Sequence, residues 1–288
     1  DVESPSLQGI PSVAGAKSAK IKFKTDLLTS GIAGTASVLD PLFMASWFSK
    51  TVVASASVTY VSDPLGGGAS LNTLTMGVGK RSNDGTKELV NLIAGAACSS
   101  WKLVGSKLGD RLQIEWEFIG KIPTYAGVLT GAADLGSILS SITYPDQVAN
   151  LVRFYGLSAT SGLMTRQINN FSFDRKLKVE LHTDTTDLSY CGLPWLSDEE
   201  PTVSIDPYKV PVATFNDLDQ FLQGSVQASA GFTVGTTAGK ITTATWAALQ
   251  PQKVGDKVDG TAQRSAYELL ATRSTTGIAS NAFSIAFT

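Results

Sequence analysis

The only histidine of the chain, His182, stands two residues before Asp184 and five before Asp187. One imidazole nitrogen and two carboxylate oxygens at that spacing could in principle face a divalent cation. The histidine closes an alternating run inside a Thr-rich stretch, however, and that context reads as the end of a strand rather than a metal site. A Ser-His-Asp triad would have to use the same histidine, and no Gly-x-Ser-x-Gly surrounds any serine. Glu115 and Glu117 are paired acids on one strand face, more often an ordinary polar face than an acid/base couple. Gly66-Gly67-Gly68 lacks the Gly-Lys-Ser/Thr of a phosphate loop and follows Asp63-Pro64, a turn signal. Asp198-Glu199-Glu200 before Pro201 reads as a solvated turn. The expectation is therefore no catalytic, metal-binding or cofactor-binding residue, no cofactor, and no enzyme.

The two cysteines, Cys98 and Cys191, have no CxxC spacing and are expected to be buried thiols. Charge is sparse and balanced: 23 Lys+Arg against 25 Asp+Glu, a net −2. A polycationic surface that grips nucleic acid through many phosphate contacts is thereby excluded. Only 17% of residues are charged, where ~25% is usual, and Ser (31) and Thr (29) take their place. With 43% apolar residues the chain has enough material for a core, so disorder is not expected. No apolar run approaches the ~18 residues of a membrane-spanning helix, and no membrane partner is expected.

The elements that must carry these residues are mainly strands. Leu112, Ile114, Trp116 and Phe118 alternate with Gln113, Glu115 and Glu117. The same period runs through 20–24, 176–181 and 282–287, and Thr/Val-rich stretches at 52–61, 71–78, 202–205, 231–237 and 240–248 also suit strands. Two segments break the pattern. Asp40-Pro41 predicts an N-cap and first helical proline before an apolar stripe of Leu42, Phe43, Met44, Trp47 and Phe48. Thr214, with Asp217 three residues on, predicts a second short helix bearing Phe215, Leu218, Phe221 and Leu222.

The two helices point to a duplication. Shifted by 174, Met44, Trp47 and Phe48 fall on Leu218, Phe221 and Leu222; shifted by 175, Asp84-Gly85-Thr86 falls on Asp259-Gly260-Thr261. Both halves then close on an alternating strand, 112–118 and 283–287. Order and spacing predict two tandem modules, 1–120 with an N-terminal arm and 169–288, joined by a Gly/Ser/Thr/Ala-rich connector or interface arm at 121–168.

Three blocks in order resemble the tail tube (major tail) proteins of long-tailed bacteriophages. The first is Ile21-Lys22-Phe23-Lys24, the Gly31–Gly34 link, then Asp40-Pro41-Leu42 opening a helix that closes on Trp47-Phe48. The second runs from Asn83-Asp84-Gly85-Thr86 through Gly95 and Gly109-Asp110-Arg111 to Phe118-Ile119-Gly120. The third is Gln250-Pro251-Gln252-Lys253-Val254-Gly255-Asp256-Lys257-Val258-Asp259-Gly260 with the final strand. The resemblance implies β-sandwich or barrel modules, each with one flanking short helix. It implies a structural virion protein, assembled in the host cytoplasm, whose rings stack into the tube that delivers the genome.

The partners so implied are copies of the chain itself, the tape measure, tail terminator and distal tail proteins, and phage DNA passing through without sequence-specific binding. Rings of this family resemble sixfold assemblies, so a two-module chain favours three copies per ring over six. In that setting the loop 62–70 would be an inter-ring tip, and Gln113, Glu115 and Glu117 would line the lumen with Trp116 packed beneath the helix. The alternative is another virion or surface β-sandwich, a capsid-decoration or adhesin-like domain. A carbohydrate-binding protein using Trp47, Trp101, Trp116, Trp195 and Trp246 as stacking platforms is a weaker alternative, because Trp47 and Trp116 lie on apolar stripes.

Overall fold

Alternating side chains produce strands with one apolar face, and two such faces closed on each other make the core of this protein. The computed structural model describes residues 17–62, 72–81, 88–105, 109–122, 151–154, 158–159, 168–184, 191–224, 230–260, 262–272 and 282–288. The fold is mainly β, as the sequence predicts, with two short helices among the described residues. The glycine loop at 63–70, Asp84-Gly85-Thr86, Asp187 and most of the 121–168 connector lie outside the described residues.

The larger sheet is built from β1 (Ser18–Asp26), β4 (Leu74–Arg81), β5 (Glu88–Gly105), β6 (Gln113–Lys121), β8 (Ile168–Asp174), β11 (Thr202–Pro207), β14 (Ala248–Asp259) and β15 (Ala262–Thr272). Its order is β1-β6-β5-β8-β11-β15-β14, with β4 branching off β5. The smaller sheet contains β2 (Phe48–Val53), β3 (Ser57–Ser62), β7 (Ser158–Ala159), β12 (Ala230–Val234), β13 (Thr242–Trp246) and β16 (Phe283–Phe287), in the order β2-β3-β16-β13-β12-β7. A separate hairpin pairs β9 (Leu177–Thr183) with β10 (Cys191–Glu199). The pairings within all three sheets are antiparallel.

Both sheets run through both halves of the chain. In the larger sheet the halves meet where Leu103 of β5 pairs with Phe173 of β8. In the smaller one, β16 is hydrogen-bonded to β3 on one side and β13 on the other. The pairs β2-β3 and β12-β13 therefore flank β16 in mirrored order. One core fills the space between the sheets, including Trp101 and Trp116 from the first half and Phe173, Trp246 and Phe283 from the second. Their rings pack closely, Phe173 with Phe283 at 4.6 Å and Trp101 with Trp116 edge-on at 6.2 Å. Pairs of this kind contribute ~0.5–1.5 kcal/mol each beyond simple burial.

Residues 151–154, inside the expected connector, belong to this core. Val152 and Phe154 are buried, and the backbone of 151–154 bonds Leu27, Gly109 and Leu112.

Four sequence expectations are corrected here. The helix α1 (Asp40–Met44) stops four residues before Phe48, because Trp47 takes a left-handed φ of 59° and Phe48 begins β2. Asp40 does not cap it; the carboxylate instead accepts hydrogen bonds from Tyr60 Oη (2.6 Å) and Lys50 Nζ (2.9 Å). The helix α2 (Asp217–Leu222) is capped not by Thr214 but by Asn216, whose side chain accepts from the Asp219 amide. The strands 112–118 and 283–287 are not counterparts: one lies beside β1 in the larger sheet and the other in the middle of the smaller sheet.

Candidate functional site

Among the described residues no group of three or more His, Cys, Asp and Glu side chains is placed to hold a metal ion. His182 lies exposed on β9 with its ring edge-on to Trp195 at 5.7 Å. Cys98 and Cys191 are free, buried thiols, as expected. Burial pushes the Cys98 thiol up to about 11, with hydrogen bonding to Ser46 and the charge of Arg175 acting the other way, so it stays protonated at neutral pH. Trp101, Trp116 and Trp246 are core residues and Trp47 donates its indole N–H to Cys98 O at 2.9 Å. Trp195 alone among the five is exposed. The described residues thus give no shared tryptophan platform.

Among the described residues, surfaces available for contact include the outer face of the larger sheet, its edge strands, and exposed apolar side chains. On the outer face, β1 pairs with β6 so that Lys22 sits opposite Glu117 and Lys24 opposite Glu115. Glu117 receives Lys20 Nζ at 2.8 Å on one oxygen and Lys22 Nζ at 2.6 Å on the other, with Ser99 Oγ at 3.0 Å. Glu115 receives Lys24 Nζ at 2.5 Å. Burial of the Glu117 carboxyl would raise its pKa; the hydrogen bonds from Lys20, Lys22 and Ser99 and the charge of Lys20 override this and bring it down to about 2.

Glu115 and Glu117 thus belong to a ladder of paired opposite charges on an ordinary polar face. Trp116 on the reverse side does pack against the helix, its ring 5.6 Å from Phe43. Farther along the same outer face an open groove of about 450 Å³ is lined by Asn170, Ser172, Ser204, Asp206, Lys253 and Lys257, among others. Both signs of charge and small hydroxyls occur there too, beside apolar residues such as Val104 and Ala266. A face of this make-up offers a polyanion few uncompensated cations to hold it.

The main path of the sheet ends on β1 and β14, each with one neighbour among the described strands, and β4, which branches off β5, likewise has one. The interior is pinned across the halves by Arg175, between β8 and β9. Its fully buried guanidinium meets Glu199 at 2.7 and 2.9 Å, donates to the carbonyls of Ser46 and Trp47, and lies 4.4 Å from the Phe48 ring centroid. Glu199 is thus not part of a solvated turn, as the acidic run 198–200 predicts, but a buried ion-pair partner. Arg175 sits in Asp174-Arg175-Lys176, which has the look of a surface charge run. Nothing local marks the middle residue as buried.

Exposed large apolar side chains include Ile32, Val38, Val52, Val53 and Val78 on the first half, and Leu193, Val212, Leu218, Leu222 and Val258 on the second. Sequence reasoning assigns Leu218, Phe221 and Leu222 to the core, and all three are exposed. No helix among the described residues is long and apolar enough to cross a membrane. Neither the family models nor the curated proteins compared with the chain yield a match.

Proposed function

We propose that the protein is a structural subunit of a bacteriophage tail tube, assembling head to tail into rings that stack into the conduit for genome delivery. The observation that carries this reading is the single sheet that runs from β1 through both halves to β14 and ends on two different edges. Long free edges are a hazard on a monomer. Two unlike edges on one chain can satisfy each other only through a heterologous contact, which repeats until a ring closes.

Three copies are favoured over six, because each chain carries a strand–helix–strand–strand order twice: β1, α1, β2, β3 and β11, α2, β12, β13. Three sheets with seven strands across each, spaced ~4.8 Å and tilted ~40°, close a barrel ~40 Å wide at the backbone. That leaves an aqueous channel. The charge-paired outer face of β1 and β6 would line it and let DNA slide without adhering. The location on this reading is the virion tail, with tape measure, terminator and distal tail proteins as further partners.

Native mass spectrometry with negative-stain microscopy tests the reading. Rings of about 90 kDa, three times 30.2 kDa, support three chains, and about 180 kDa supports six. A chain that stays at 30.2 kDa at every concentration, with no rings or filaments, overturns the reading and favours a monomeric decoration or adhesin-like domain.

A further inference from the structure

The hairpin β9–β10 and the pair β8–β11 are one ladder folded over at a corner. Asp174 pairs with Thr202 at the last rung in the larger sheet, and Leu177 pairs with Glu199 at the first rung of the hairpin. Between these rungs lie Arg175-Lys176 on one strand and Glu200-Pro201 on the other. The counts are equal, so the register passes through the corner unbroken. A bulge bends a ladder by an extra residue on one strand, and the corner has none. Beyond it the two strands leave the sheet, pair only with each other among the described strands, and lie against β5.

The bend is held from the side. Lys176 takes a left-handed φ of 46°, which a residue with a Cβ disfavours, and its amide is tied back to Asp174 Oδ1 at 2.8 Å. The neighbouring Arg175 is fully buried and spans the corner. It meets Glu199, at the base of the hairpin, at 2.7 and 2.9 Å, and donates to the carbonyls of Ser46 and Trp47. Trp47 is itself left-handed, at φ 59°. Two strained residues thus meet at one buried ion pair, and such strain persists only where surrounding contacts over-determine it. Farther out, Leu177, Val179 and Leu196 pack inward, while Leu193 and Trp195 face solvent. A two-stranded ribbon outside the sheets is the kind of unit that opens below the free energy of global unfolding.

We infer that β9–β10 is a hinged flap with two states. In the closed state the Arg175–Glu199 pair latches it against β5. In the open state the corner straightens, Lys176 returns to extended backbone, and 168–207 runs on as one straight ladder. The hairpin stays paired in both, and what changes is the cover over β5. Straightened, the seven residues of β9 reach ~23 Å past the sheet at ~3.3 Å per residue. Any molecule that binds the straight form better than the folded one draws the arm out. The device belongs to the single chain and does not depend on the assembly proposed above.

The Cys98 thiol of β5 reports the opening. It is fully buried beside the latch, where the Ser46 hydroxyl and the Arg175 charge act on it. Two substitutions at the exposed hinge residue push the equilibrium in opposite directions. Lys176→Gly frees the left-handed φ from the Cβ penalty and favours the closed flap, whereas Lys176→Val favours extended backbone and the open one. Both lose the same contact with Glu268, at 3.2 Å, so their difference reads the hinge.

Thiol labelling of the unassembled full chain, read at Cys98 by mass spectrometry, should run about tenfold faster in Lys176→Val than in Lys176→Gly. In the wild type and both variants, labelling should depend weakly on urea below the unfolding transition. The amides of β9 and β10 should keep their exchange protection while Cys98 reacts. Equal rates in the two variants, labelling with the urea dependence of complete unfolding, or hairpin protection lost in step with Cys98 labelling would each overturn the inference. The corner would then be a fixed one, and the ring reading would stand untouched.

Discussion

The helices α1 and α2 follow the same plan in sequence and opposite plans in space. Both begin with an aspartate that a tyrosine hydroxyl holds, Asp40 by Tyr60 and Asp217 by Tyr267. Yet α1 drives Phe43 into the core, against Phe48, Tyr60, Trp116 and Phe287, while α2 buries none of Leu218, Phe221 and Leu222. The difference lies beyond the helices. Next to α1 the chain turns at Trp47 into β2, and Arg175 from the other half reaches the carbonyls of Ser46 and Trp47. Nothing comparable is described beyond α2, where Gly224 follows with φ 58°. An apolar stripe thus fixes that a surface is to be covered, and not what covers it.

The largest expected effect separates the two helices directly. Phe43→Ala should destabilise the single chain by ~3–5 kcal/mol through the cavity it leaves. Leu222→Ala should change stability by less than ~0.5 kcal/mol, as for an ordinary exposed position. Urea unfolding of the unassembled chain checks both. Equal losses would show that α2 is buried within its own chain and would break the comparison.

The second effect concerns the anchor that α1 has from the other half. Arg175→Met strands the Glu199 carboxylate in the interior and should cost ~3 kcal/mol or more. The double variant R175M/E199M should recover much of that loss, because no unpaired charge remains. Calorimetric midpoints of the two variants read the recovery, and a double variant no better than the single one would assign the loss to packing against Phe48 instead.

The smallest effect sharpens the contrast at the first-half edge. The Glu117 pKa, brought to about 2 in the folded chain, lies below its unfolded value of ~4.3. The stability it contributes is therefore present above pH ~4.3 and lost as pH falls toward 2. Lys22→Met should raise the Glu117 pKa and move the acid-unfolding midpoint to higher pH, with little change at pH 7, since Lys20 and Ser99 still hold the carboxylate and Lys22 itself is well exposed. A Glu117 carboxyl titrating near the ordinary glutamate value in the wild type, by carbon-13 NMR, would remove the basis for this prediction.

The sequence determined the mainly β character, because a period of two in 20–24, 112–118 and 282–287 allows only one apolar face per strand. It placed both helices near their actual starts through Asp40-Pro41 and the 214–217 run, and it marked Cys98 and Cys191 as buried. It indicated no more than a strand-like run after Asp84-Gly85-Thr86 where β5, the longest described strand, lies; the Ala94-Gly95-Ala96-Ala97-Cys98-Ser99-Ser100 centre has small side chains and no alternation. Pairing with β6 on one side, and with β4 and β8 on the other, holds that segment extended regardless of propensity.

Only the tertiary structure decided that Arg175 and Glu199 are interior, that Glu115 and Glu117 are neutralised by the lysines of β1, and that the apolar face of α2 points outward. Each of these depends on partners 24 to 129 residues away, or on the lack of one among the described residues. Local periodicity reports which side of an element is apolar. What lies against that side is set by how distant strands meet, and that information is spread over the whole chain.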